Sequence, residues 1–134
     1  MPKLLTVIIP CYNEEENIKY FYEEFCKNDA YFLKHAIMYQ LIFVDDGSTD
    51  GTVTEIKNLH QKDKRVKLLS FSRNFGKEAA IYAGLQHASG NLVAIMDVDL
   101  QDPPTLLPQM IDEIFVGADQ VGARRTARKG EPRI

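Results

Sequence analysis

Runs of consecutive apolar residues alternate along this chain with segments whose apolar residues recur at helical spacing. Short continuous apolar runs are typical of strands buried on both faces of a parallel sheet, and the helical period is typical of helices that pack on such a sheet. The pattern therefore predicts an α/β fold, with a doubly wound, mostly parallel sheet flanked by helices. The predicted strands cover residues 4–10, 40–44, 66–71, 92–96 and, as a short last strand, 120–123. One predicted helix covers about residues 52–61, and the others begin after residues 13, 78 and 104.

The first predicted helix carries its own start signal. Asn13 is a residue type that caps helix N-termini, and Glu16, three residues later, completes a capping box. Residues 27–34 predict a polar connection. Cys11 and Cys26 lack the spacing of metal ligands, and we expect two reduced thiols of a cytoplasmic protein.

The chain is organised around the stretch that begins with the apolar run Leu92–Met96. This run predicts a central, fully buried strand, which ends at Asp97 and Asp99, and the prolines at 103 and 104 prevent further sheet pairing. Ligands of open α/β sheets bind beyond the carboxyl ends of the strands. Asp97 and Asp99 are therefore predicted to lie where a metal or a phosphorylated ligand would bind.

Three loops that follow predicted strands contain carboxylates: residues 10–14, 45–52 and 97–102. If those strands are neighbours, the loops meet in one crevice, where a divalent cation would neutralise the repelling charges. Oxygen ligands select Mg²⁺ or Mn²⁺, and Mg²⁺ typically completes its shell with substrate phosphates. The loops therefore predict a ligand of the nucleoside diphosphate type.

Several of these charged residues have a second interpretation. Asp46 and Asp50 are also residue types that stabilise a turn and cap the following helix. Arg73 and Lys77 are either solvated loop charges or phosphate contacts. The histidines are scattered without partner spacing and are not expected to be catalytic.

Other nucleotide and phosphate folds fit the sequence poorly. The chain has neither G-x-x-x-x-G-K-[ST] nor, after the first strand, G-x-G-x-x-G. Aspartate-nucleophile phosphatases also carry Asp-x-Asp at a strand end, but they require Thr or Val where Gln101 stands here.

Composition adds limits to the function. The 134 residues predict one domain, and the net charge of −3 argues against a nucleic-acid partner. The end of the chain is basic, which suits a phosphate or an anionic membrane surface, or else a solvated terminus. No apolar run approaches the roughly 20 residues of a membrane helix, so this segment is expected to be soluble.

The chain contains, in order, the segments Val7–Glu15, Val44–Thr52 and Met96–Asp99. Together they resemble the inverting glycosyltransferases of the large GT-A family. The segments Ser72–Ala80 and Asp99–Pro104 narrow this resemblance to the polyprenyl-phosphate glycosyltransferases, which include the dolichol-phosphate mannose synthases and the bacterial bactoprenol glucosyltransferases. The resemblance covers the whole chain and implies the GT-A, Rossmann-like sheet.

The resemblance also implies roles on the nucleotide side of the site. Pro10, Tyr12 and Glu14 would line the nucleotide pocket. Asp45 would contact the base, which fits either uracil or guanine. Asp97 would contact the nucleotide through its diphosphate.

The remaining implied roles concern the metal and the acceptor. Asp97 and Asp99 would form the D-x-D motif of the family, which bridges Mg²⁺ or Mn²⁺ to the diphosphate, with Gln101 nearby as a third catalytic residue. Arg124 stands where the family places an arginine that receives the phosphate of the acceptor. A metal acting as a Lewis acid would stabilise the charge that develops on the leaving diphosphate.

The implied function is transfer of a hexose, with inversion, from a nucleotide sugar to a polyprenyl phosphate. UDP-glucose is the expected donor, and GDP-mannose is an alternative. The expected place is the cytoplasmic face of the cell membrane. Residues 1–134 are interpreted as the N-terminal, nucleotide-sugar-binding part of a longer catalytic domain.

Two alternative functions stay open: a nucleotide- and metal-binding module without turnover, and a transferase that extends a polysaccharide or a lipid-linked oligosaccharide. A homo-oligomeric assembly also stays open.

Overall fold

Four parallel strands form the sheet that positions the rest of the described chain. They are β1 (Lys3–Cys11), β2 (Ile37–Asp45), β3 (Val66–Ser70) and β4 (Leu92–Ile95). The computed structural model describes residues 3–99, 103–115 and 117, and within them the strand order is β3-β2-β1-β4. Because all the pairings are parallel, the carboxyl ends of the strands lie at one edge, where Cys11 is the register partner of Asp45.

Helices follow the strands and cover both faces of the described sheet. They are α1 (Glu15–Cys26), α2 (Asp29–Lys34), α3 (Thr52–Lys62), α4 (Lys77–Gln86) and α5 (Leu107–Phe115), the last preceded by a 3₁₀ turn at Pro104–Leu106. This alternation confirms the predicted α/β fold. Among the helices that the structure describes, none is long and apolar enough to cross a membrane.

The alternating side chains of β1 divide the core into two layers. Val7 and Ile9 point into the larger layer, where the fully buried rings of Phe21 and Phe43 meet edge to face at 6.0 Å between centroids. Ile8 points into the smaller layer, beneath α4. A Cβ at Gly84 of α4 would lie 2.5 Å from Ile8, so this glycine allows the close approach of α4 to the sheet.

The prediction of a polar connection over residues 27–34 is wrong, because the short helix α2 forms there. Phe32 on this helix is 2 % exposed, and its ring lies 5.7 Å from that of Phe25 and 5.1 Å from that of Tyr39. Burial of this ring gives the segment a hydrophobic anchor that its many polar residues conceal in the sequence.

The prediction that Leu92–Met96 forms a central, fully buried strand is also wrong in the described part of the chain. β4 ends at Ile95 and is an edge strand there, paired with β1. Val93 and Ile95 are 48 % and 45 % exposed, because α4 packs over β1 and β2 instead. The predicted strand at 120–123 lies outside the described residues.

Candidate functional site

A cleft of about 230 Å³ opens at the carboxyl edge of the sheet, where the loops after β1, β2 and β4 come together. It includes five of the residues predicted for the site. Gln101 and Arg124, which were also predicted, lie outside the described residues. The lining residues are Pro10, Cys11, Tyr12, Glu14, Asp46, Lys77, Asp97, Val98 and Asp99.

Hydrogen bonds join the loop after β1 to the loop after β2. Asn13 adopts a positive φ of 52°, and its Oδ1 accepts the backbone N–H of Thr49 at 2.8 Å. The backbone N–H of Asn13 donates to Oγ of Ser48, and that of Glu14 donates to Oγ1 of Thr52. The predicted capping box is therefore wrong: α1 has no side-chain cap, because the Asn13 side chain binds the neighbouring loop.

Tyr12 and Glu14 flank this junction and line the cleft. The Tyr12 side chain is 46 % exposed, although the backbone on either side of it is held. An exposed aromatic ring in such a position can stack on a flat ligand. The structure thus brings Pro10, Tyr12 and Glu14 to the same cleft as Asp97 and Asp99.

Asp45 is buried beneath the cleft and does not line it. It is 1 % exposed, and its carboxylate accepts the backbone N–H of Ser48 and the hydroxyl of Ser70, each at 3.2 Å. In this arrangement Asp45 ties the loop after β2 to the end of β3. The proposed contact between Asp45 and a nucleotide base stays a prediction.

Asp46 holds the loop that leads into α4. It is 4 % exposed, and its Oδ1 accepts the backbone N–H of Phe75 at 2.7 Å. Its Oδ2 accepts the backbone N–H of Gly76 at 3.0 Å and the side-chain amide of Asn74 at 3.1 Å. Asp46 therefore does not cap the following helix α3, whereas Asp50 accepts the backbone N–H of Thr52 at the start of that helix.

Lys77 begins α4 and reaches into the cleft. Its Nζ lies 2.8 Å from Oδ1 of Asp97. The sequence left Lys77 undecided between a solvated charge and a phosphate contact; the structure places it among the carboxylates. No local sequence pattern predicts the contact between Lys77 and Asp97, because this contact depends on how the loop before α4 is held.

The cleft has the donor chemistry for a hard divalent cation. Asp97 and Asp99 supply carboxylate oxygens, which are the ligands that Mg²⁺ and Mn²⁺ prefer. No cluster of three or more potential metal-ligating side chains occurs within residues 3–99, 103–115 and 117. Asp97 and Asp99 are thus the residues of the described cleft whose donor chemistry fits such a cation.

Cys11 lies at the floor of the cleft. Burial raises the pKa of its thiol, and the carboxylates of Asp45 and Glu14 raise it further. Its Sγ donates to the carbonyl of Val44 at 3.6 Å. Cys11 is therefore a protonated thiol at neutral pH, and it is free, as is Cys26.

Comparison with curated proteins gives relatives along almost the whole chain. A bactoprenol glucosyl transferase of Shigella phage SfV is 42% identical over 133 residues, which cover 97% of this chain and 41% of the relative. A prophage bactoprenol glucosyl transferase homolog of Escherichia coli (strain K12) is 41% identical over 133 residues, covering 97% of this chain and 42% of that protein. The chain thus spans about two fifths of the length of these relatives.

Solved structures with the same fold include nucleotide-sugar complexes. The mannosyltransferase PcManGT from Pyrobaculum calidifontis, in complex with GDP-Man and Mn²⁺, aligns with a TM-score of 0.71 and 26% identity, over 91% of this chain and 34% of that one. S. aureus TarS 1-349 in complex with UDP-GlcNAc aligns with a TM-score of 0.62 and 26% identity, over 96% of this chain and 38% of that one.

The fold agrees with these comparisons. The family described as "Glycosyl transferase family 2" matches residues 6–134, which include every segment on which the resemblance in the sequence rested. This chain belongs to glycosyl transferase family 2.

Proposed function

We propose that this chain is the nucleotide-sugar- and metal-binding part of a glycosyltransferase that moves glucose from UDP-glucose to a polyprenyl phosphate, with inversion at the anomeric carbon. The observation that carries the proposal is the cleft that unites Pro10, Tyr12 and Glu14 with Asp97 and Asp99. The relatives named for bactoprenol glucosyl transfer support the lipid acceptor and the sugar. The place of action would be the cytoplasmic face of a membrane.

The cleft offers separate surfaces for the two ends of a nucleotide diphosphate. Tyr12 presents an exposed ring at the side of the junction between the loops after β1 and β2. Asp97 and Asp99 lie on the side formed by the chain after β4. A nucleoside against Tyr12 would therefore extend its diphosphate toward the two aspartates.

The same residues fit the electrostatics of the transfer. When bound, Mg²⁺ or Mn²⁺ would act as a Lewis acid on the diphosphate. The similar structure of the mannosyltransferase PcManGT, which was solved with GDP-Man and Mn²⁺, supports the use of a metal. Asp97 and Asp99 would hold that cation, and Gln101, which lies outside the described residues, is proposed as a third catalytic residue. The anomeric carbon forms a bond to a phosphate oxygen of the acceptor as its bond to the diphosphate breaks, and the electron pair leaves with the diphosphate.

The acceptor lowers the demand for a general base. A polyprenyl phosphate is already an anion, so its oxygen needs no deprotonation before attack. Arg124 is proposed to receive this phosphate through charge-assisted hydrogen bonds.

Calorimetric titration of the complete protein tests the donor side. UDP, UDP-glucose and GDP-mannose are each titrated with and without Mn²⁺, for the natural protein and for Asp99→Ala. We expect UDP and UDP-glucose to bind with Mn²⁺, and the metal-dependent part of the affinity to disappear in Asp99→Ala. Glu55→Gln, which removes a carboxylate from α3 outside the cleft, is the control.

Each outcome has a defined meaning. Preferential binding of GDP-mannose would replace the proposed donor with a mannose donor. Binding without turnover toward a polyprenyl phosphate would favour the nucleotide-binding module. A complete lack of nucleotide binding would refute the proposal.

A further inference from the structure

Lys77 gives the cleft a cation beside its carboxylates. Its Nζ lies 2.8 Å from Oδ1 of Asp97, and the Lys77 and Asp97 side chains are 60% and 32% exposed. The other charged residues that line the described part of the cleft are acidic: Glu14, Asp46 and Asp99. The ammonium therefore compensates part of the negative charge at the position where a divalent cation would bind.

A buried carboxylate controls where this ammonium lies. Asp46 accepts the backbone N–H groups of Phe75 and Gly76, and Gly76 directly precedes Lys77. Gly47, with φ +77°, allows the backbone of Arg73 to lie against the turn, since a Cβ there would be 2.3 Å from the Arg73 carbonyl carbon. The start of α4 is thereby attached to the end of β2.

Lys77 and a divalent cation would compete for Asp97, but both could bind the diphosphate of a nucleotide sugar. Before the nucleotide sugar binds, the single negative charge of Asp97 cannot neutralise both the Lys77 ammonium and a divalent cation. Once a diphosphate is present, it supplies enough negative charge for both cations, and an ammonium is a common phosphate ligand.

We propose that Lys77 is an exchangeable counter-ion of Asp97, which it leaves for the diphosphate when metal and nucleotide sugar bind, and that Asp46 is the positioning residue that places Lys77 for this exchange. The inference rests on the proposed function. It predicts effects of opposite sign on metal binding and on nucleotide binding when the lysine is removed.

The first test is Lys77→Gln in the complete protein, studied by calorimetry. Without nucleotide, Mn²⁺ should bind about threefold more tightly, because one cation that competes for Asp97 is gone. With saturating Mn²⁺, UDP should bind about tenfold more weakly, because a charged phosphate contact is lost. Lys77→Arg should keep most of the UDP affinity, and Lys57→Gln on the exposed side of α3 should change neither affinity.

The second test asks whether Asp46 acts through Lys77. Asp46→Asn should weaken UDP binding about threefold to tenfold, and the double variant with Lys77→Gln should bind no more weakly than Lys77→Gln alone. Because Asp46 is buried, the same cycle is repeated with Asn74→Ala, which removes one exposed donor to Asp46. Thermal unfolding checks that each variant is folded.

The outcomes separate this inference from the function on which it rests. If the natural protein binds no UDP with Mn²⁺, both are refuted. If UDP binds but Lys77→Gln changes both affinities in the same direction, or neither, the exchange alone is refuted. If the effects of Asp46→Asn and Lys77→Gln add fully, Asp46 does not act through Lys77.

Discussion

Gly47→Ala tests the attachment of the loop before α4 to the end of β2. Gly47 has a φ of +77°, which costs an L-residue about 1–2 kcal/mol. An added Cβ would also lie 2.3 Å from the carbonyl carbon of Arg73 and 2.6 Å from the backbone nitrogen of Asn74. These are backbone atoms, which cannot rotate away as the end of a side chain can.

The size of the effect follows from these two costs. Forced overlap in a packed region typically costs about 1–3 kcal/mol, so the free energy of unfolding should fall by about 2–5 kcal/mol in total. That loss is a large fraction of the roughly 5–15 kcal/mol by which natural domains are stable. UDP affinity should fall as well, because displacement of the loop moves Lys77.

Urea unfolding followed by far-UV circular dichroism measures this change, and it suits a chain that has no tryptophan. Gly51→Ala is the matched control from the same turn region. Its φ is −84°, and its added Cβ would lie 2.7 Å from a carboxylate oxygen at the flexible end of Glu15. We expect that control to remain within about 1 kcal/mol of the natural protein. Equal losses in the two variants would refute the reasoning about the backbone contact.

Three further predictions concern pH, thiol reactivity and the core. Hydrogen bonds from Arg65 hold the pKa of Asp63 below its ordinary value of 3.8, so the stabilisation is present above about pH 4 and is lost as the pH falls further; Asp63→Asn should cost about 1 kcal/mol at pH 7 and less at pH 2.5, by urea unfolding. Burial raises the pKa of both thiols, but Cys11 is only 4 % exposed and has carboxylates beside it, so iodoacetamide at pH 8 should label the half-buried Cys26 first, and mass spectrometry that finds equal labelling would contradict this. Phe21→Ala removes a fully buried ring and should cost about 3–5 kcal/mol in the same unfolding assay, whereas a loss below about 1 kcal/mol would show that the ring packs little in solution.

The sequence predicted the architecture where a local pattern carries the information. Apolar runs located β1 to β4, and the parallel arrangement then placed Tyr12, Glu14, Asp97 and Asp99 at one edge of the sheet. These predictions need only the period of a strand and the rule that parallel strands end on the same side.

In the loops, the sequence could not decide between a local and a distant partner for one side chain. The Asn13 oxygen can cap a helix, but it binds the backbone of Thr49 instead. Asp46 can cap α3, but it binds Phe75 and Gly76, about 30 residues further along the chain. Such choices depend on how the loops approach one another, which no local pattern records. The roles of Gln101 and Arg124 stay predictions.

The inner position of β1 has a consequence for synthesis of the chain. β1 pairs with β2 on one side and with β4 on the other, and the register places Leu5 opposite Leu92. About 50 residues separate the end of β2 from the end of β4, which a ribosome adds in about 3–10 s. During that interval the edge of β1 that later pairs with β4 has no hydrogen-bonding partner strand in this sheet. A nascent chain halted between these two points should therefore recruit chaperones more strongly than one halted after β4 is complete.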